Sequence, residues 1–150
     1  MRTTAVYGTA MVVLATVFNL LHAISHFGQE VVLLQAWQWV YVTCVIFLAP
    51  VVAAVLLWSP YRLAGAWLLF SSMAASFVFD LAYHFLIEGP DNVFTLEPGA
   101  WLVPFRLSSV LLVVASGLGV LVGGWAVLRL SRLQTRTPPG SHLAMEKGRR

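Results

Sequence analysis

The chain is poor in cysteine, in charge, and in the motifs that mark common soluble enzymes. Its single cysteine, Cys44, excludes an intrachain disulfide and a thiolate metal cluster. That thiol is expected to pack as a small apolar side chain. There is no Gly-rich phosphate loop, no paired cysteines of a thiol or quinone redox enzyme, and no His-rich box set of a di-iron desaturase. No repeat recurs at a fixed period. Charged residues are 10% of the 150-residue chain, against about 25% in ordinary soluble domains.

Apolar sequence fills the gap, at 59% of residues. Four runs, roughly residues 5–27, 31–58, 63–86 and 101–128, are each long enough to cross the about 30 Å hydrocarbon core as a helix. They are continuously apolar and do not alternate, which excludes the strands of a membrane β-barrel. The expected fold is all-α: a polytopic membrane protein, an antiparallel bundle of four transmembrane helices over residues 1–133. A basic tail follows at 134–150, where Pro138, Pro139 and Gly140 break any helix and His142 stands apart from any site. Ala23 and Ser25 resemble a leader-cleavage pattern, but Arg2 is a thin positive region and the run is long, so the first segment reads as a span.

Basic residues set the expected orientation. Arg2, Arg62, Arg129, Arg132, Arg136, Lys147, Arg149 and Arg150 fall on one side of a four-span chain, and Glu30, Glu88, Asp91 and Glu97 on the other. Positive charge beside spans is retained in the cytoplasm, which predicts a multi-pass cell-membrane protein with both termini cytoplasmic. The basic tail fits that topology signal and attraction to anionic lipid of the bilayer, with no nucleic-acid partner. Trp37, Trp39 and Trp101 mark one interface, and Trp58, Trp67 and Trp125 the other. Pro60 ends the second span, and "EGPDNVFTLEPG" forms a loop over the outer end, a candidate lid.

Polar side chains are then conspicuous. In "NLLHAISHF", Asn19, His22 and His26 share one helical face. In the third span Ser72, Ser76, Asp80, His84 and Glu88 recur every four residues. Spans one and three run in the same direction, so both rows reach the same outer level, where Gln35, Gln38 and Arg106 also fall. Ionisable groups in hydrocarbon cost several kcal/mol unless paired, hydrated or ligated, so these side chains are expected to turn inward.

Three imidazoles and a carboxylate suit zinc or another divalent transition metal, with His22, His26, His84 and Asp80 as ligands. With Asp80 held back from the metal, one position stays open for water, and Asp80, Asn19 or Glu88 can orient that water or take its proton. Arg106 and Ser76 are expected to support the ligands from behind. Two other readings use the same residues. Arg106 pairs with Asp80 while the histidines link helices without a metal, or His84 and one of His22 and His26 hold a haem. The two four-spaced motifs are locally similar to those of zinc-transporting cation diffusion facilitators over a handful of residues. "NLLHAISHF" carries no carboxylate, and no family function follows.

Ser109, Ser116, Gly119 and Gly123 give span four a small-residue face, which either locks it into its own bundle or forms a homodimer through Gly119 and Gly123. Phe18, Phe27, Phe77, Phe79 and Phe85 are candidates to wall a pocket for a lipid-like ligand. These features leave a metal-dependent enzyme on a lipid-like substrate, a metal transporter or binding module, a haem redox protein, and a structural assembly protein. Between Ser59 and the outer site the polar residues are few, chiefly Thr43, Ser71 and Ser72, which favours a one-sided site over a path through the membrane.

Overall fold

A computed structural model describes residues 2–31 and 35–135. They form α1 (Arg2–Gly28), α2 (Ala36–Trp58), α3 (Arg62–Leu86) and α4 (Leu102–Thr135), each long and apolar enough to span a membrane. No strand occurs among the described residues, and the four-helix bundle expected from the apolar runs is the observed architecture. α2 starts later than its apolar run because the backbone N–H of Gln35 is taken by Gln38 Oε1 at 2.7 Å, which sets its first turn. α4 continues past Leu128 to Thr135, since no helix breaker precedes that point. The tail from residue 136 onward lies outside the described residues.

The helices pack in a square, α1 beside α2, α2 beside α3, α3 beside α4 and α4 back on α1, with α1 and α3 on the diagonal. Close approach depends on glycine. A Cβ on Gly65 would sit 2.8 Å from the Leu57 backbone nitrogen of α2, and one on Gly123 would sit 2.8 Å from Phe70 Cα of α3. A Cβ on Gly119 would meet Met73 Sδ at 2.7 Å. Lipid supplies no hydrophobic drive between helices, so this backbone-level packing carries the association. Gly119 and Gly123 of α4 pack against Met73 and Phe70 of α3 in the same chain. Cys44 is exposed on the outside of α2 and does not pack as the sequence suggested.

The interior divides along the bundle axis. Toward the chain termini it is apolar and fine-grained, built on Ala5, Val12, Ala53, Leu57, Ala66, Leu69, Met73 and Ala126. Toward the other end the buried side chains include the polar His22, Ser25, Ser76, Asp80, His84, Asp91, Ser108 and Ser116, beside a small apolar cluster of Val31, Val93 and Phe105. Several of these hydroxyls bond a carbonyl of their own helix, such as Ser25 to Leu21 at 2.8 Å and Ser76 to Ser72 at 2.9 Å, so their burial needs no partner across the bundle.

Two π-helical turns, Val42–Leu48 in α2 and Ala82–Leu86 in α3, lie at this polar level. Pro50 follows the first; it has no N–H to give its own turn, and the Ala49 N–H reaches back to Cys44 O. α2 touches α1 mainly through its terminal-side half, while the π segment leans on α3. The polar end is closed by folded connections. α1 finishes in a Schellman motif: Glu30 has φ 59°, the Val31 N–H donates to His26 O at 3.1 Å, and the Glu30 N–H donates to Phe27 O at 3.2 Å. The connection from α3 to α4 is pinned by Asn92, whose Nδ2 donates to Ile87 O at 3.0 Å, and by Gln29, whose Nε2 donates to Glu97 O at 2.9 Å.

Candidate metal centre

The diagonal helices α1 and α3 deliver three imidazoles to one point. His22, His26 and His84 offer ligand atoms that all lie within 4.8 Å of one another. His22 and His84 are buried and His26 is half-buried. The rings meet edge to face, with His22 centroids 4.5 Å from His26 and 4.6 Å from His84. Phe105, fully buried, packs against all three.

Each imidazole is held from behind through Nδ1. His22 Nδ1 lies 2.9 Å from Ser108 Oγ, His26 Nδ1 3.1 Å from Val31 O, and His84 Nδ1 3.2 Å from Asp91 O. A carbonyl only accepts, so His26 and His84 carry their proton on Nδ1 and leave Nε2 bare. The Ser108 hydroxyl has its own acceptor, Phe105 O at 3.0 Å, and can therefore accept the His22 Nδ1 proton. On that arrangement the Nε2 atoms of His22 and His26 are unprotonated and 2.9 Å apart, and His84 offers a third ligand nitrogen within 4.8 Å. Facing lone pairs at that distance repel unless a cation lies among them. Tetrahedral zinc with Zn–N about 2.05 Å needs nitrogens about 3.3 Å apart, so the His22–His26 pair would open by a few tenths of an ångström. The alternative turns the Ser108 proton toward His22 and lets His22 Nε2–H donate to His26.

The backbone explains why these nitrogens are held. The Schellman turn swings Val31 back over α1, so its carbonyl meets His26. The π turn ending α3 closes with the Ile87 N–H on Ala82 O at 2.8 Å. The His84 ring meets His22 and His26 of α1, while Asp80, one turn earlier, has its Oδ2 near Ser116 of α4. The Val93 N–H then bonds His84 O at 3.0 Å and brings the Asp91 carbonyl onto the ring.

The remaining sequence candidates are dispersed. Asp80 is buried and lines the same cavity as the histidines, but it stands outside the three-histidine group; its Oδ2 faces Ser116 Oγ at 3.4 Å. Asn19 lines that cavity too, with Nδ2 donating to Ala15 O at 2.8 Å. Ser76 turns its hydroxyl to its own helix and does not reach the imidazoles. Glu88 is exposed beyond the end of α3. Arg106 is exposed as well, with Nε donating to Val93 O at 2.8 Å, and it makes no ion pair with Asp80. Of the phenylalanines, Phe27 and Phe79 wall the cavity, while Phe77 packs on Gly117 and Phe85 on the loop residue Phe94. Gln35 and Gln38 serve the start of α2.

Sequence reasoning missed Ser108, the Val31 and Asp91 carbonyls, and Phe105. Backbone carbonyls leave no compositional trace, and a serine in a span gives no sign that it will face a histidine on another helix. Asp91 was read only as loop charge. Its Oδ1 is buried without a hydrogen-bond partner, 3.9 Å from His26 Nδ1. Burial pushes that carboxyl up from the usual carboxylate range, and the nearby His26 offsets part of the rise.

The cavity has a volume of about 220 Å³, with α2 residues Trp39, Val42, Ile46 and Phe47 forming the wall opposite the histidines. No protein-family model, no curated protein and no solved structure matches this chain. The site therefore has to be read from its own geometry.

Proposed function

We propose that this chain is an integral membrane protein whose His22, His26 and His84 bind a divalent transition metal, zinc fitting best, with a coordination position open to an apolar cavity. The convergence of three imidazoles, each held at Nδ1 by a group that is not a ligand, carries this reading. Metal-ligating histidines are typically oriented in this way. Three protein ligands with space for a fourth is the arrangement of catalytic zinc sites, while structural sites are closed by four. The reading is thus of a metal-dependent enzyme acting on a membrane-borne, lipid-like substrate.

Transport is less well supported, because the core of the terminal half, among the described residues, is built chiefly on alanine, valine, leucine and methionine. Haem is disfavoured by space. The three rings pack directly on one another and leave no slot for a macrocycle. The basic flank of α4 and Arg62 support cytoplasmic termini, which a reporter fused after Thr135 checks.

Elemental analysis of the purified protein tests the metal. About one equivalent of metal per chain, lost in a His22→Ala/His84→Ala variant that still folds, supports the proposal. A folded wild-type protein that takes up neither metal nor haem would leave the histidines as a link between helices.

A further inference from the structure

Beyond the metal ligands, the cavity holds a buried acid whose one hydrogen bond is long. Asp80 is 3% exposed, and among the described residues Ser116 is the one donor facing it, at a long 3.4 Å. Ser116 Oγ is also 2.7 Å from Leu112 O, which claims its single proton. A buried carboxyl without a committed donor is costly, and its cavity is where a donor can arrive. The mouth of that cavity faces sideways. Phe27 of α1 and Trp39 of α2 both line it and are both more than half exposed, at 71% and 53%. Between them α1 and α2 do not close at this level, where the π segment of α2 leans toward α3. Ala23, Val42, Ile46 and Phe47 add apolar wall to the cavity, and its polar groups His22, Asp80 and His84 are buried.

We infer that the cavity binds a lipid alcohol, a hydroxyl-headed amphiphile that enters from the bilayer between α1 and α2, with its hydroxyl donating to Asp80 and its alkyl chain lying along the π segment of α2. A hydroxyl fits better than an ammonium because it donates one proton to the carboxylate and brings no positive charge beside a metal cation. Its oxygen also keeps lone pairs to offer the open metal position. A plain alkane would match the walls and leave Asp80 unsatisfied. The substrate class rests on the proposed metal site, but alcohol binding through Asp80 is measurable without it.

The test uses the full chain in lipid nanodiscs and a medium-chain primary alcohol with a photoreactive diazirine in its chain. Crosslinks are mapped by mass spectrometry, and metal content is measured on the same samples. Crosslinks should fall on α1 near Ala23 and on α2 between Val42 and Phe47, and unlabelled alcohol should compete at least about tenfold better than the alkane of equal length. Asp80→Ala should erase that preference, and Ala23→Phe should block labelling with metal content and thermal midpoint unchanged. Ser116→Ala should leave alcohol binding intact. Equal competition by alkane and alcohol, labelling spread over all outward faces, or an Asp80→Ala variant that is folded and still prefers alcohol would overturn the inference. Loss of metal in His84→Ala with alcohol preference retained supports the Asp80 contact separately. Alcohol binding in a wild-type protein that takes up no metal would sink the metal reading alone.

Discussion

Ser108→Ala isolates the role of a group that touches no metal. Its hydroxyl lies 2.9 Å from His22 Nδ1, and removing it takes away the acceptor that fixes the ring orientation and leaves Nε2 unprotonated. Loss of such an outer partner costs about 10–100-fold in metal affinity, equivalent to about 1.4–2.8 kcal/mol. The change deletes one oxygen from a buried site and should cost the fold less than about 1 kcal/mol. Ser109→Ala is the matched control: Ser109 is just as buried, but its hydroxyl donates to Phe105 O at 2.9 Å on its own helix and contacts no histidine. Competition against a chromogenic zinc chelator reads both affinities. The reasoning predicts a drop of at least about tenfold for Ser108→Ala and little change for Ser109→Ala. Equal affinities in the two variants would refute it, because the Nδ1 contact would then do nothing for the ligand.

Further expectations follow from the packing. Gly123→Val drives a side chain into the Phe70 backbone and should destabilise the bundle by about 1–3 kcal/mol, while Gly117→Ala, whose Cβ would meet Phe77 at an ordinary 3.4 Å, should be nearly neutral in thermal melts. Gly28→Ala places a methyl against the Trp101 ring, and it should loosen the connection between α3 and α4, seen as faster amide hydrogen exchange over residues 87–101. Cys44 faces outward from α2 within an apolar helix, so a bilayer-soluble maleimide should label it and an impermeant one should not.

The helices were legible because their signal is long and repeated: some twenty apolar residues in a row allow few other readings. The rows holding His22, His26 and His84 were legible for a similar reason, since polar residues at four-residue spacing stand out against hydrocarbon-facing neighbours. What the spacing could not reveal was aim. Asp80 and His84 do line one cavity, yet the Asp80 carboxyl lies by Ser116 of α4 while the His84 ring joins the histidines of α1. Arg106 was placed by depth alone, and depth does not say that its side chain would turn outward to the Val93 carbonyl. Ser108 and the carbonyls behind the rings depend on the Schellman turn and the folded loop, which form only when distant segments meet. The glycines of α4 admit two readings from spacing alone, and spacing does not show that Phe70 and Met73 of α3 lie against them.

The most direct test of the central claim is X-ray absorption at the metal edge of zinc-loaded protein. Multiple-scattering features of about three imidazoles at about 2.0–2.1 Å, with one further light-atom ligand, are predicted. A spectrum without imidazole scattering, or one unchanged in His84→Ala, would contradict it.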